Sequence, residues 1–220
     1  MTSTLQRMRR ADPTALTDAM GRAGAMASAI KPVWAGARLL GRAFTVRAVP
    51  GDFCACLVAM GLMRRGEVLV VDGAGFTEAA LFGEGIAHEL KRRGIAGAVV
   101  DGGVRDVAGL RRLRFPVFAR AATPRAGSCE RVGEIQGPVT CGGVLVRPGD
   151  WIVGSEDGVA VVPPDEAPKV LAAAEAIEAK ERRLRRGTPF TKAYGIERFV
   201  AEKLAAYRAR SEAGRGRIMG

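Results

Sequence analysis

Two short charged motifs contain the residue types in this sequence that could do chemistry. Gly83-Glu84 is followed, after a gap of twenty residues, by Arg105-Asp106. Each pair comes after an apolar run typical of a buried strand, and a helix-sized segment, Ile86 to Arg93, lies between them. Parallel strands connected in this way end at one edge of a sheet, which is where open α/β sheets bind ligands. We therefore expect two carboxylates and a guanidinium to meet in one crevice.

These residue types suit the binding of a small anion beside a divalent cation. The N–H groups of Glu84, Gly85 and Ile86 would open a helix without intrahelical acceptors, and such helix ends bind carboxylate or phosphate. Arg105 can hold an anionic oxygen through two parallel N–H bonds, and Asp106 can hold a hard cation. Glu84 can orient a metal-bound water as acid or base. The residues alone therefore predict a metal-assisted site for a small anion.

Each pair also has a structural interpretation that requires no ligand. Arg105 and Asp106 could form a surface ion pair at a helix start, with Asp106 capping that helix. Glu84 could be an ordinary first-turn acid favoured by the helix dipole. His88 lies one turn further along and is the single histidine of the chain. A solvated helix residue is the structural interpretation of it, and a catalytic role is the alternative.

Composition limits the class of protein. The 220 residues, 48% of them hydrophobic, can bury a sizeable core, and no apolar run is long enough for a transmembrane helix. The basic N-terminus has no apolar segment after it, so we expect a cytoplasmic protein. The cysteines form no CxxC pair, which favours reduced thiols over zinc ligation and leaves oxygen ligands for any metal; they are Cys54, Cys56, Cys129 and Cys141.

The formal charge of +11 does not by itself indicate a nucleic-acid partner. Aromatic residues make up only 5% of the chain and do not alternate with the basic runs, as a stacking surface would require. Attraction of an anionic substrate explains the charge as well. The segment Gly73-Ala74-Gly75 is not a dinucleotide loop, because Glu78 occupies the place of the third glycine.

Hydrophobic periodicity predicts an α/β protein with one main domain, residues 1–190, and a C-terminal helix and basic tail, residues 191–220. Helices are expected from Pro13, over 54–64 as a buried helix, over 107–113, from 165 to about 186, and from about 196 to 210, with frayed residues after that. Strands are expected within 35–49, 67–72, 97–101 and 115–119, and in a β-rich stretch from 138 to 163.

At its charged motifs the chain resembles the 4-hydroxy-4-methyl-2-oxoglutarate aldolase family, which is related to the RraA-like regulators of ribonuclease activity. The spacing of Gly83-Glu84 and Arg105-Asp106 matches the signature of that family. The resemblance covers about residues 12 to 185. It includes, in the family's order, Pro13-Thr14, Asp18-Ala19, Ala43-Phe44-Thr45-Val46, Pro50-Gly51-Asp52, Val99 to Asp106, Val139-Thr140-Cys141-Gly142-Gly143-Val144, Pro148-Gly149-Asp150 and Asp157-Gly158-Val159.

The resemblance implies an RraA-like α/β sandwich with a central mixed sheet flanked by helices, and a pyruvate aldolase dependent on Mg²⁺ or Mn²⁺. The metal would be attached through Asp106, with Glu84 reaching it through water. Backbone N–H groups of residues 83–86 (Gly83, Glu84, Gly85 and Ile86) and the Arg105 side chain would bind the pyruvyl group. Oxaloacetate decarboxylation would be a side activity, because it passes through the same pyruvate enolate.

The resemblance also implies a homotrimer or a hexamer with its site at a subunit interface, where Glu181 of the long C-terminal helix would join the metal's water shell. Gly85, His88 and Phe53 depart from the family pattern, which bears on substrate preference. Two alternatives stay open, namely a non-catalytic RraA-like regulator that binds a ribonuclease and another reaction through a pyruvate enolate.

Overall fold

The computed structural model describes residues 3–216, and the side chains of residues 3–210. Its helices are α1 (Thr4–Met8), α2 (Pro13–Ala19), α3 (Cys54–Leu62), α4 (Glu84–Arg92), α5 (Val107–Leu113), α6 (Ala167–Arg185), α7 (Phe190–Tyr194) and α8 (Glu197–Gly216). Its strands are β1 (Lys31–Pro32), β2 (Leu39–Arg47), β3 (Glu67–Asp72), β4 (Ala80–Phe82), β5 (Gly97–Val104), β6 (Val117–Ala122), β7 (Glu134–Ile135), β8 (Val139–Cys141), β9 (Val144–Val146), β10 (Trp151–Ser155) and β11 (Gly158–Val162).

A mixed sheet forms the centre of the fold, in the order β1-β6-β5-β3-β2-β10-β11. Strands β2, β3, β5 and β6 are parallel to their neighbours in that series, whereas β1, β10 and β11 pair antiparallel at the two sides. Two short strands lie off this path: β4 pairs with β5, and β7 pairs with β2. The separate hairpin β8–β9 completes the β structure of the described residues. The predicted central mixed sheet with flanking helices is therefore confirmed.

Alternation along the central strands divides the core between the two faces of the sheet. Successive side chains of a strand point to opposite faces, so Leu69 and Val71 pack in one cluster while Val68 and Val70 pack in the other. The first cluster also contains buried residues of α3, α4 and α5. The second contains buried residues of the β8–β9 hairpin. One face is thus covered by helices, and the other by the hairpin together with residues of the segment 26–37.

Two aspartates on adjacent strands fix that hairpin. Asp72, at the end of β3, and Asp101, in β5, are paired neighbours. The Asp72 carboxylate accepts the N–H of Thr140 at 3.3 Å, and that of Asp101 accepts the N–H of Gly142 at 2.6 Å. Asp101 also accepts a hydrogen bond from the Arg120 guanidinium at 2.6 Å. These aspartates belong to two Val-Val-Asp-Gly tetrads, residues 70–73 and 99–102, which therefore have the same structural role.

Most predicted elements are present, and the differences are at their ends. The helix predicted over 107–113 has those bounds, and the strand expected over 115–119 is Val117–Ala122. Helix α3 ends at Leu62 instead of residue 64, and it is not buried on all sides, because Leu57 and Leu62 are exposed. The short elements α1, β4 and α7 were not predicted. The expectation of frayed residues 211–220 falls on positions whose side chains, or whose whole placement, lie outside the described residues.

The chain forms two compact units, residues 1–174 and 175–220, so the division falls within α6 and earlier than the predicted one after residue 190. The first unit contains both core clusters. In the second, Phe190 and Tyr194 of α7 pack ring against ring, and Lys180 lies over the Tyr194 ring. None of the described helices combines the length and the hydrophobicity that crossing a membrane requires.

Candidate active site

The short strand β4 brings the two charged motifs together. Strand β5 runs beyond the point where its neighbour β3 ends, and β4 pairs with this extension, Phe82 opposite Val104. The next residue on each side begins a charged motif, and the N–H of Arg105 donates to the Phe82 carbonyl at 3.0 Å. The two motifs lie side by side as expected, with Arg105 and Asp106 at one pocket, but the Glu84 carboxylate is not part of the pocket lining. Gly83-Glu84 follows β4 and not β3. Three residues without polar–apolar alternation carry little strand signal, so the sequence did not reveal β4.

Asp106 joins the two motifs through one carboxylate oxygen. Its Oδ2 accepts the N–H of Glu84 at 3.1 Å, at the start of α4, and lies 3.4 Å from Nε of Arg105. The other oxygen, Oδ1, has no hydrogen-bond partner among residues 3–210. The carboxylate thus caps a helix that is distant in sequence, and it keeps one oxygen for a further ligand.

Asp106 does not cap its own helix. It is the N-cap residue of α5, yet its side chain makes no capping bond there. Its backbone is left-handed, with φ of 60° and ψ of 39°. Side chains with a Cβ seldom adopt this conformation, and its cost persists only where the surroundings impose it. The structural interpretation of Asp106 as an ordinary cap of α5 is therefore wrong.

Gly83 is required by the space that Asp106 and Arg105 occupy. A Cβ built at Gly83 would lie 2.7 Å from Oδ2 of Asp106 and 3.0 Å from Cγ of Arg105. The backbone there is extended, with φ of −159°, so close approach and not backbone freedom explains the glycine. A Cβ built at Gly85 would meet no atom within 4 Å. Close contacts therefore require a glycine at position 83, whereas no contact of the described residues requires one at position 85.

A small, largely apolar pocket opens beside this ion pair. Its volume is about 100 Å³, well below the ~300–1,000 Å³ of pockets for drug-sized ligands. Arg105 and Asp106 also face a wider, shallower depression with Ala122, Thr123 and Pro124. The pocket thus has one charged end and an apolar wall; its lining residues are Phe53, Ala80, Leu81, Phe82, Gly83, Gly85, Ile86, Arg105, Asp106 and Ala126.

The first turn of α4 presents hydrogen-bond donors to this pocket. The N–H of Glu84 is used by Asp106, as described above. Those of Gly85 and Ile86, which line the pocket, have no acceptor among the described residues. Helix N-terminal N–H groups with their dipole favour anionic groups. Together with Arg105 they form a concave end suited to a carboxylate.

Other predicted site residues lie outside the pocket lining. The Glu84 carboxylate rests over Gly109 of α5, where an added Cβ would overlap it, and Oε1 lies 3.4 Å from Nη2 of Arg112. His88 is exposed on α4 and does not line the pocket. Glu181 is half-buried on α6, in the unit of residues 175–220.

One wall of the pocket depends on Asp52, whose role the sequence did not reveal. Asp52 is fully buried. Burial alone would raise its pKa, but hydrogen bonds outweigh burial and hold that pKa below its ordinary value. They come from the Cys54, Glu130 and Arg131 N–H groups and the Ser128 hydroxyl, at 2.9 to 3.1 Å. Asp52 therefore fixes residues 125–131, the pocket loop, beside Phe53.

The oxygen donors at this site suit a hard cation better than a softer metal that prefers nitrogen or sulfur ligands. Among the described residues no three His, Cys, Asp or Glu side chains form a ready metal cluster. Asp106 offers one oxygen, and its side chain is 41% exposed. Mg²⁺ commonly binds through one or two carboxylates and keeps several waters. Its known coordination thus fits what Asp106 can supply.

Fold and site together define an α/β protein with a small pocket, charged at one end, beside the ends of parallel strands. The family model for the RraA-like proteins, described as Aldolase/RraA, matches residues 13–161, more than half of the chain. The chain belongs to this RraA-like family.

Named relatives include both enzymes and regulators. A Halalkalibacterium halodurans protein named "Putative 4-hydroxy-4-methyl-2-oxoglutarate aldolase" is 37% identical over 85% of this chain and 90% of its own length. The 4-hydroxy-4-methyl-2-oxoglutarate aldolase of Thermus thermophilus is 36% identical over 68% of this chain and 91% of its own length. The solved structure of the RNA-processing inhibitor RraA from the same species has a TM-score of 0.62 and 36% identity, covering 70% of this chain and 93% of that one.

Proposed function

We propose that this protein is a pyruvate aldolase that depends on a divalent metal. It would cleave 4-hydroxy-4-methyl-2-oxoglutarate, or a related 4-hydroxy-2-oxo acid, to pyruvate. The observation that carries the proposal is the joining of Arg105 and Asp106 to the open first turn of α4 at one end of a small pocket. The aldolase names of relatives at 36–37% identity support it.

The chain's own groups would bind the pyruvyl half of the substrate. The N–H groups of Gly85 and Ile86 and the guanidinium of Arg105 would hold the carboxylate and the 2-oxo oxygen. Arg105 would then balance the negative charge that grows on that oxygen when the carbon–carbon bond breaks. The pocket volume of about 100 Å³ suits a substrate with few atoms.

Asp106 would hold Mg²⁺ or Mn²⁺ through its unpartnered oxygen, with water as the other ligands. Such an ion, when bound, supplies Lewis-acid polarisation of a carbonyl. Glu84 would exchange a proton with water at the site, and its position over Gly109 places it on the α5 side of the motif. Loss of CO₂ from oxaloacetate leaves the same pyruvate enolate, so we expect oxaloacetate decarboxylation as a side activity.

We further propose a cytoplasmic homotrimer or hexamer in which Glu181 of a neighbouring subunit joins the water shell of the metal. Helix α6, which carries Glu181, is 19 residues long, or roughly 28 Å at 1.5 Å per residue. Light scattering coupled to size exclusion measures the assembly directly. A monomer at working concentrations would contradict both the assembly and the role of Glu181.

The deciding experiment measures pyruvate release from 4-hydroxy-4-methyl-2-oxoglutarate and from oxaloacetate, with Mg²⁺ and with EDTA. Asp106→Asn is the sharpest variant, because asparagine tolerates the left-handed backbone and can still accept the Glu84 N–H bond. We expect the rate to fall by about 100-fold or more. Asp157→Asn, on an exposed turn, is the matched control and should keep the wild-type rate.

A second candidate function is regulation without chemistry. The structural likeness to the RNA-processing inhibitor RraA favours it. The joined Arg105–Asp106 pair argues against it, because an inhibitor has no need of a carboxylate with a free oxygen at a pocket. Absence of pyruvate release from both substrates by folded, metal-loaded protein would reject the aldolase and favour a regulator that binds a ribonuclease.

A further inference from the structure

Two free cysteines lie on segments that border the pocket. Cys54 begins α3, next to Phe53, and Cys129 belongs to the pocket loop. Desolvation raises the pKa of the Cys129 thiol, and the Cys54 side chain is close enough to Cys129 to contribute to that raised pKa. Cys129 is exposed and Cys54 is half-buried, so an oxidant in solution can reach Cys129 directly.

Backbone contacts hold the two segments in fixed register. The N–H of Ser128 donates to the Gly51 carbonyl at 2.8 Å, and the N–H of Phe53 donates to the Ser128 carbonyl at 2.9 Å. The bridged residues are Asp52 and Ser128, and paired backbones of this kind lie about 4.7–4.9 Å apart. Cys54 and Cys129 follow two residues and one residue later on these segments, and the Cα atoms of a disulfide lie ~4.4–6.8 Å apart.

The buried carboxylate of Asp52 strengthens this register. It accepts the N–H of Cys54 and the N–H of Glu130, both at 2.9 Å, so the residues at and beside both cysteines are bound to one group. The two cysteines are therefore held on neighbouring segments that one buried carboxylate fixes. We expect rotation about their side-chain bonds to bring the two sulfur atoms together.

We propose that Cys54 and Cys129 are a redox modification site that forms a reversible disulfide when the protein meets a peroxide. The sulfur of Cys129 attacks one peroxide oxygen, the O–O bond breaks, and sulfenic acid and water result. The sulfur of Cys54 then displaces that oxygen as a second water and forms the S–S bond. Two thiols and one hydrogen peroxide give one disulfide and two waters, and a dithiol reductant reverses the reaction by exchange.

The other two cysteines provide an internal comparison. Cys56 and Cys141 are fully buried, and burial raises the pKa of Cys56 to about 12 and that of Cys141 further still. Thiols of this kind are protected and inert. Desolvation, with the neighbouring Cys54 and Asp52, also raises the pKa of Cys129, so the pair should need excess peroxide or time to react.

The disulfide would join the two segments that supply Phe53 and Ala126 to the pocket wall. Transient, oxidant-dependent disulfides are the kind that reducing compartments permit. The chemistry is independent of the proposed aldolase reaction, and its test requires no substrate.

Peptide mapping by mass spectrometry tests the proposal on the full-length protein. Protein is treated with hydrogen peroxide, blocked with an alkylating reagent and digested without reductant. We expect one linked peptide pair that contains Cys54 and Cys129, which disappears after dithiothreitol. Cys129→Ser, at an exposed position, should abolish the link without affecting folding, and Cys54→Ser should do the same.

A second probe reads the spacing of the thiols without oxidation. Phenylarsine oxide bridges two neighbouring thiols, so native protein should bind one equivalent and each single serine variant should bind none. Oxidation of Cys129 to sulfinic or sulfonic acid with Cys54 still alkylatable would overturn the proposal. So would dimers linked through Cys129, or wild-type protein that binds no arsenical while folded.

Discussion

At the candidate site, the distances to neighbouring atoms determine whether a position can carry a side chain larger than that of glycine. Gly83 has Oδ2 of Asp106 and Cγ of Arg105 where its Cβ would be, whereas Gly85 has open space. The same substitution at the two positions should therefore have opposite effects.

Gly83→Ala should displace Asp106 from the Glu84 N–H and lower both stability and pyruvate release. The lost charge-assisted hydrogen bond corresponds to about 1.5–3 kcal/mol. Gly85→Ala should raise the free energy of unfolding by about 0.5–1 kcal/mol, because alanine favours a helix over glycine. Urea denaturation of both variants, with the release assay, checks this pair. Equal stability changes would show that the described contacts do not control these positions.

Asp52 should make stability depend on acid. Its pKa is held below the ordinary value of 3.8 because hydrogen bonds to the carboxylate outweigh its burial. A lowered pKa contributes stability that is present above pH 3.8 and is lost as pH falls through the lower, folded-state pKa. Asp52→Asn should therefore cost about 1–3 kcal/mol at neutral pH. Below pH 3.8 its stability should fall less steeply than that of wild type. Urea denaturation at a series of acidic pH values measures the free energy of unfolding of both proteins. An equal decrease with falling pH in the two proteins would contradict this prediction.

At the residue scale, the sequence revealed part of the site. Gly83, Arg105 and Asp106 were recognisable, because a guanidinium and a carboxylate after strand-like runs indicate chemistry. Asp52 was not, since an aspartate after Pro50-Gly51 looks like any turn residue. Three of its four hydrogen-bond partners are more than seventy residues away along the chain, and no local pattern reports them.

At the scale of elements, two carboxylates bind the β8–β9 hairpin, and their contacts differ in length and in burial. Asp101 is 7% exposed and bonds Arg120 and Gly142 at 2.6 Å each. Asp72 is 12% exposed, and its contacts with Thr140 and Arg47 are 3.3 and 3.5 Å. Burial and shorter contacts should make Asp101 the more important of the two.

Asp101→Asn should destabilise the protein by about 3 kcal/mol, because it leaves the Arg120 charge without its partner. Asp72→Asn, the matched control on the neighbouring strand, should cost about 1 kcal/mol, since its ion pair with Arg47 is longer and half-exposed. Chemical denaturation of the two variants gives the comparison. A larger loss of unfolding free energy for Asp72→Asn than for Asp101→Asn would show that Asp72 is the more important of the two.

Long elements were predictable and short ones were not. Strands β3 and β5 each contain a continuous apolar run, residues 68–71 and 98–100, and α5 has its predicted bounds of residues 107 to 113. Strand β4 is three residues long and exists because β5 extends past its neighbour, so only the tertiary arrangement specifies it. Asp72 and Asp101 bind the same hairpin because β3 and β5 are neighbours in the sheet. The sequence around the two aspartates does not reveal which strands are neighbours.

For the whole molecule, the core lies almost entirely in the first compact unit. Among the described residues, Ala193 is the single buried hydrophobic residue beyond Ala174. Several large apolar side chains of the second unit are exposed, including Phe199 and Tyr207. The predicted domain boundary after residue 190 can therefore be tested by deleting residues 191–220.

A chain of residues 1–190 should fold and unfold cooperatively. The expected loss of about 1 kcal/mol or less corresponds to a Tm shift of at most ~2–4 °C for a protein of this size. Thermal unfolding of both chains at equal concentration measures it, since assembly makes Tm depend on concentration. Loss of the cooperative transition would show that residues 191–220 are part of the folding unit.

Strands β2 and β10 are neighbours in the sheet, with Arg42 opposite Trp151, although they are far apart in the sequence. The sheet can therefore be completed only after β10 has been synthesised. Strand β2 emerges early from the ribosome, but its partner β10 is made only after the whole site has been synthesised. Until then one edge of β2 has unsatisfied backbone groups, which is the condition that favours misassociation of nascent chains. Slow translation between residues 47 and 151 should thus prolong the exposure of that edge and lower the yield of native protein.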